Sequence, residues 1–153
     1  MAPDNTICET SLDWDDRYLV GHPTMDDTHL EFVELLAVLA RADDSRLPGA
    51  LDDLARHLEA HFSQENHWMK STGFPAGECH VEEHTKVLDS LREVQEHLAS
   101  GDTQIVRDFA EALADWFPGH TDYMDSALAT WLVKASHGGA PLVLRRAKAP
   151  SPA

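Results

Sequence analysis

An all-α, up-down-up-down four-helix bundle is the fold class this sequence predicts, and three observations predict it. Apolar residues recur three or four apart through four long segments, with no convincing two-residue alternation. Short connections join the segments, which for helices of this size means antiparallel neighbours. At 153 residues and 42% hydrophobic, the chain suits one domain built on one buried core.

Residues 1–25 read as an irregular but ordered arm, with Trp14 and Tyr18 available to pack across the bundle. The bundle is expected over 26–137. Its first helix runs from about Asp26 to Arg41, with His29, Phe32, Leu36 and Leu39 on one stripe. The second runs from about Pro48 to Lys70 and aligns Leu51, Leu54, Leu58, His61, Glu65 and Met69. Ser71-Thr72-Gly73 followed by Phe74-Pro75 ends it.

The third helix, about Ala76 to Ala99, aligns His80, His84, Val87, Leu91 and Leu98 and stops at Gly101. Asp102 or Thr103 could cap the fourth, which aligns Ile105, Phe109, Leu113, Trp116, His120, Met124, Ala127 and Trp131 and ends by His137. Pro118 inside it predicts a kink. Residues 138–153, rich in Pro and Ala and carrying Arg145, Arg146 and Lys148, read as a disordered tail. That tail is the one candidate contact for an unknown protein partner.

A formal net charge of −15 argues against nucleic acid and against an anionic membrane surface. No apolar run approaches the ~18 residues of a spanning helix, and the N-terminal text lacks a basic start followed by an apolar stretch. Cys8 and Cys79 lie far apart and in no CxxC pattern. A disulfide framework is not expected, and a cytoplasmic location is.

The unusual feature is ten histidines in so short a chain. His29, His61, His80, His84 and His120 occupy core-facing stripe positions, as does Glu65. Burying imidazoles and a carboxylate without partners is costly, and five imidazoles spread over all four helices call for a common partner. A metal is the economical one. His61 and Glu65 are four apart, as are His80 and His84, so each pair projects side by side from one helix face. Asp125 follows His120 by five, which on an ideal helix turns it to a flank, a direction suited to a bridging ligand.

Five imidazoles and two carboxylates exceed one tetrahedral zinc and suit two octahedral-leaning ions with one position open. Cysteine is absent from the set, against structural zinc or an iron–sulfur cluster. His57 lies beside the stripe and reads as solvated, and His22, His67, His97 and His137 read as surface residues.

The order His29, His61-x3-Glu65, His80-x3-His84, His120-x4-Asp125 resembles the hemerythrins, especially the bacterial single-domain form. So do Trp14, Val20-Gly21 ahead of Met25-Asp26-Asp27-Thr28-His29, and His61-Phe62; the resemblance spans about residues 12–132. It implies a non-haem di-iron centre, with His80, His84 and His120 on one iron and His29 and His61 on the other. Glu65 and Asp125 would bridge them together with a solvent oxygen. The two-histidine iron would keep a vacant position where dioxygen binds reversibly, for storage, delivery or sensing and without catalysis. Phe32, Phe62 and Trp116 would line the oxygen pocket. Tyr123, where the family usually has an aliphatic residue, would either present its hydroxyl to bound oxygen or turn outward onto the arm.

A ferritin-like oxidase would need two Glu-x-x-His motifs, and no histidine here has a glutamate three residues before it. Two alternatives keep the fold. One is a di-iron redox enzyme acting on peroxide or nitric oxide, which a polar Tyr123 or Thr121 in the pocket would favour. The other is an oxygen or redox sensor module, whose usual mark is a fused output domain that 153 residues do not accommodate.

Overall fold

The computed structural model describes residues 12–137. The expectations for Cys8, for the rest of residues 1–11, and for the 138–153 tail with Arg145, Arg146 and Lys148 lie outside the described residues.

Four helical rods form the bundle: α1 (Pro23–Arg41), α2 (Leu47–Thr72), α3 (Gly77–Ala99), and a fourth made of α4 (Gln104–His120), a π turn (Thr121–Asp125) and α5 (Ser126–His137). Each rod packs against the next, and α1 against α4 closes the ring. α1 starts three residues before the expected Asp26 because Pro23 suits the first turn and the His22 ring caps it, Nδ1 accepting from Met25 N at 3.2 Å. His22 is therefore a half-buried cap, its ring tilted against that of Trp68 at 4.9 Å between centres, not a surface residue. α2 stops at Gly73, whose φ of 68° is left-handed, while Phe74 N donates back to Met69 O at 2.9 Å. Asp102 supplies the cap ahead of α4, accepting from Ile105 N at 3.2 Å.

Pro118 sits inside α4 without ending it. The departure comes one turn later, where Ser126 N donates to Thr121 O, five residues back. Such a wide turn absorbs one extra residue and shifts the phase of everything beyond it. Met124, Ala127 and Trp131 were expected to face inward; the buried positions are instead Asp125, Leu128, Ala129 and Leu132. Ala127 is exposed, and Met124 and Trp131 are half-buried.

The core is divided. One large apolar cluster holds Phe32, Leu36, Leu39, Leu54, Leu58, Leu91, Leu113 and Phe117 among others. A smaller one holds Val20, Met25, Met69, Leu128, Ala129 and Leu132. Along α1 the order is Met25, His29, Phe32; along α2, Leu58, His61, Glu65, Met69; along the fourth rod, Phe117, His120, Asp125, Leu128. A polar layer thus lies between two apolar ones. The arm crosses the bundle, with Tyr18 edge-on to Trp14 and to Phe117 at 5.7 and 5.3 Å between ring centres, and Val20 N donates to Asp26 Oδ1 at 2.8 Å.

Among the described residues, no helix is long and apolar enough to cross a membrane.

Candidate metal centre

The bundle brings all seven predicted donors into that one layer, and each is buried. Two groups of ligand atoms lie within 4.8 Å of one another: Glu65, His80, His84, His120 and Asp125 in one, His29, His61 and Glu65 in the other. The carboxylates span both. Glu65 Oε2 lies 2.6 Å from His61 Nε2 and 3.6 Å from His29 Nε2, while Oε1 lies 3.3 Å from the Nε2 atoms of both His80 and His84. Asp125 Oδ2 lies 3.0 Å from His29 Nε2, and Oδ1 lies 2.9 Å from His80 Nε2 and 3.2 Å from His120 Nε2.

The π turn makes this possible. On a regular helix Asp125 would reach the layer only from a flank; in the wider turn, five residues bring it back beneath His120.

Few of these approaches are hydrogen bonds. Only His61 Nε2 and Glu65 Oε2 are directed at each other; His29, His80 and His120 Nε2 and both Asp125 oxygens are buried without a hydrogen-bond partner. Buried polar atoms are seldom left so. Lone pairs that crowd together without pairing fit cations held among them, and imidazole with carboxylate suits iron, manganese or zinc.

Charge in the metal-free layer points the same way. Burial would lower His29 and His80, but the Asp125 and Glu65 carboxylates raise them to about 10 and about 9. Burial, and for Asp125 the Glu65 charge, would raise the two carboxyls, but the surrounding imidazoles hold both well below the carboxylate range. The two buried carboxylates thus favour positive charge among these donors, which is the charge that metal cations would supply. His84 goes the other way, lowered by its burial.

Around the donors lies a second ring of side chains. Asn66 Oδ1 stands 2.8 Å from His84 Nδ1 and fixes that ring's orientation. Trp116 donates to Glu83 Oε1 at 2.9 Å, and Glu83 Oε1 lies 3.9 Å from His120 Nδ1. Phe62 stacks on His84 at 4.1 Å between ring centres and lies 5.2 Å from His61.

Placement within the expected oxygen pocket is uneven. Phe32 and Phe62 are buried beside the layer. Trp116 stacks on His120 at 4.2 Å, on the three-histidine side, so its one-turn phase to His120 survives Pro118. Phe117 faces His29 at 5.5 Å and packs on Phe32 at 4.8 Å, a neighbour the stripe did not single out. Tyr123 is 83% exposed. Its assignment to the pocket is corrected: the π turn rotates it away from the face that His120 shares with Asp125.

His57 is corrected too. It is buried, 9% exposed, because α1 covers that side of α2. Its Nδ1 lies 3.5 Å from Glu31 Oε1, its ring 5.5 Å from that of His61, and its Nε2 has no partner. Asn66 and Glu83 carry no stripe signal; the only hint was that a ligating histidine needs an acceptor at its other nitrogen. His67 and His97 are exposed, as expected, and Cys79 is an exposed free thiol.

A family model described as the hemerythrin HHE cation binding domain matches residues 20–132. A bacteriohemerythrin of Ralstonia nicotianae is 37% identical over 123 residues, 80% of this chain and 90% of that protein. Bacteriohemerythrins of Aquifex aeolicus and Methylococcus capsulatus are 29% and 24% identical, covering 74% and 65% of this chain and 91% and 79% of their own lengths.

Proposed function

The chain belongs to the hemerythrin family, and on that premise we propose that its buried layer holds two iron ions and binds dioxygen reversibly. The observation that carries the proposal is the span of the two carboxylates, each with one oxygen toward His29 or His61 and the other toward His80. In this reading His80, His84 and His120 serve one ion, His29 and His61 the other, and Glu65 and Asp125 both. The side with fewer donors, His29 and His61, is where dioxygen would bind. Held by these seven residues, two iron ions would supply reversible two-electron chemistry toward dioxygen.

The chain's own groups make that exchange reversible. Phe32, Phe62 and Phe117 wall the layer with hydrocarbon and exclude the water that would carry off a charged oxygen species. Neutral imidazoles balanced by two carboxylates keep the net charge of a loaded site low, which suits a dry interior. Asn66 holds His84 in one orientation through its far nitrogen. Oxygen storage or delivery, without catalysis, is the role this supports.

One observation favours a second reading, redox chemistry on peroxide or nitric oxide. Thr121, next to His120, is buried with its hydroxyl unpartnered, a polar group of the kind that proton delivery needs.

Optical spectra of the iron-loaded protein, reduced without air, exposed to oxygen and then purged, test the proposal. A visible charge-transfer band should form with oxygen and fade on purging. Direct conversion to an oxidised spectrum that purging does not reverse would overturn reversible binding and favour the second reading.

A further inference from the structure

The seven donors are sealed. The most exposed is His61, at only 7%. Metal ions must nevertheless reach them, and His61 is where the layer meets a cavity open to solvent. A cleft of about 480 Å³ between α1 and α2 is lined by His61, His57, Glu31, Gln64 and Thr28 among others.

Its chemistry is graded from outside inward. Glu31 is at the rim, its side chain 64% exposed, with Oε1 3.5 Å from His57 Nδ1. His57 stands one turn before His61 on α2, their rings 5.5 Å apart. Its Nδ1 is the nitrogen toward Glu31, while its Nε2 is buried and has no hydrogen-bond partner. Arg56, also in the lining, is paired with Asp53, so its charge is matched locally. Carboxylate, then imidazole, then a ligand of the centre itself form a path along which a divalent cation exchanges water for protein donors stepwise.

We propose that this cleft is the inlet of the metal centre, with Glu31 and His57 forming a transient divalent-cation site that passes each ion to His61. The inference rests on the reading of the seven residues as a metal centre. It assigns to Glu31 and His57 a kinetic role that the seven do not have. By microscopic reversibility, a residue on the path changes loading and release by one common factor, whereas a permanent ligand changes the equilibrium.

The test uses the full-length chain. Metal-free protein is mixed with cobalt(II) alone and uptake is followed by visible absorbance; loaded protein is then stripped with excess chelator. Glu31→Gln and His57→Leu should each slow uptake by about tenfold, the scale on which a charged cleft raises capture rates. Release should slow by the same factor, and the final metal content should match wild type. Glu31 is exposed, so its variant folds irrespective of how His57→Leu behaves. Glu93→Gln, an exposed change on α3, should leave both rates unaltered and separate a local site from net charge.

Unchanged rates in Glu31→Gln would overturn the inlet, as would a lowered final metal content in that variant. A wild-type chain that takes up no cation would instead overturn the metal-centre reading, and the inlet with it.

Discussion

The two halves of this bundle are built on opposite principles. In the large apolar cluster, Leu36, Leu39, Leu51, Leu54, Leu58 and Leu91 are each buried among many equivalent neighbours. Hydrocarbon packing is non-directional, so the loss of one residue carries a graded penalty of lost burial and residual cavity and leaves no buried charge behind. In the polar layer beside it, His29, His61, Glu65, His80, His84, His120 and Asp125 are also buried, yet one hydrogen bond, His61 to Glu65, joins two of them and most of their inward atoms have no such partner. No member there is satisfied alone. The lesson is that the same four helices carry a tolerant region that supplies stability and an interdependent one that consumes it until something fills it.

The strongest way to break that contrast is Glu65→Ala, because Glu65 belongs to both donor groups. Metal affinity should fall beyond the about 10–100-fold that losing an outer supporting residue costs, with both ions affected. Metal content after gel filtration measures it, and a variant still carrying two ions per chain would refute the shared role.

Leu54→Ala is the counterpart in the apolar half. Leu54 is fully buried, so its truncation should cost about 2–5 kcal/mol in denaturant unfolding. The metal content should not change. A drop in metal content would mean that the two halves are not independent.

Alkaline pH sharpens the difference without mutation. In the metal-free chain His29 and His80 titrate at about 10 and about 9, above the ordinary 6.5. Raised values mean that these protons stabilise the fold fully below the unfolded value and that the contribution is lost as pH rises through 9 and 10. The metal-free melting temperature should therefore fall between pH 7 and 10. The loaded protein, its imidazoles committed to metal, should change little over that range. Loading should release protons and weaken as pH falls, and a metal-free melting curve flat to pH 10 would count against paired imidazolium in the layer.

The smallest effect is expected at Tyr123→Phe. With the ring 83% exposed, stability should stay within about 0.5 kcal/mol, and the rate at which the oxygenated spectrum decays should match wild type. A changed decay rate would place the hydroxyl back in the pocket.

Much of this was legible in the chain because two periodicities are written in it. Apolar residues three and four apart marked the faces of α1 to α3, and Gly73 and Gly101 marked the stops of α2 and α3. Five histidines and Glu65 at core-facing positions named six of the seven donors, since the cost of burying them unpartnered argues against an ordinary core, and Asp125 was marked only by its spacing from His120 and by the family resemblance. What stayed hidden depends on departures from 3.6 residues per turn or on neighbours distant in sequence. The π turn at Thr121–Asp125 defeated the expected phase, exchanging Ala127 for Leu128 and Ala129 and turning Tyr123 to solvent. Asn66 meets His84 from eighteen residues away. His57 is buried only because α1 lies over it, with Glu31 at its Nδ1.

The sequence by itself determined the class of fold, the apolar faces of α1 to α3 and which histidines the polar layer would contain, because those follow from local periodicity and from the penalty on unpartnered burial. Only the tertiary structure decided how Asp125 reaches the layer, which aromatic covers which imidazole, and where solvent touches the site. Those depend on one wide turn and on the packing of α1 over α2, and neither is set by the residues of a single helix.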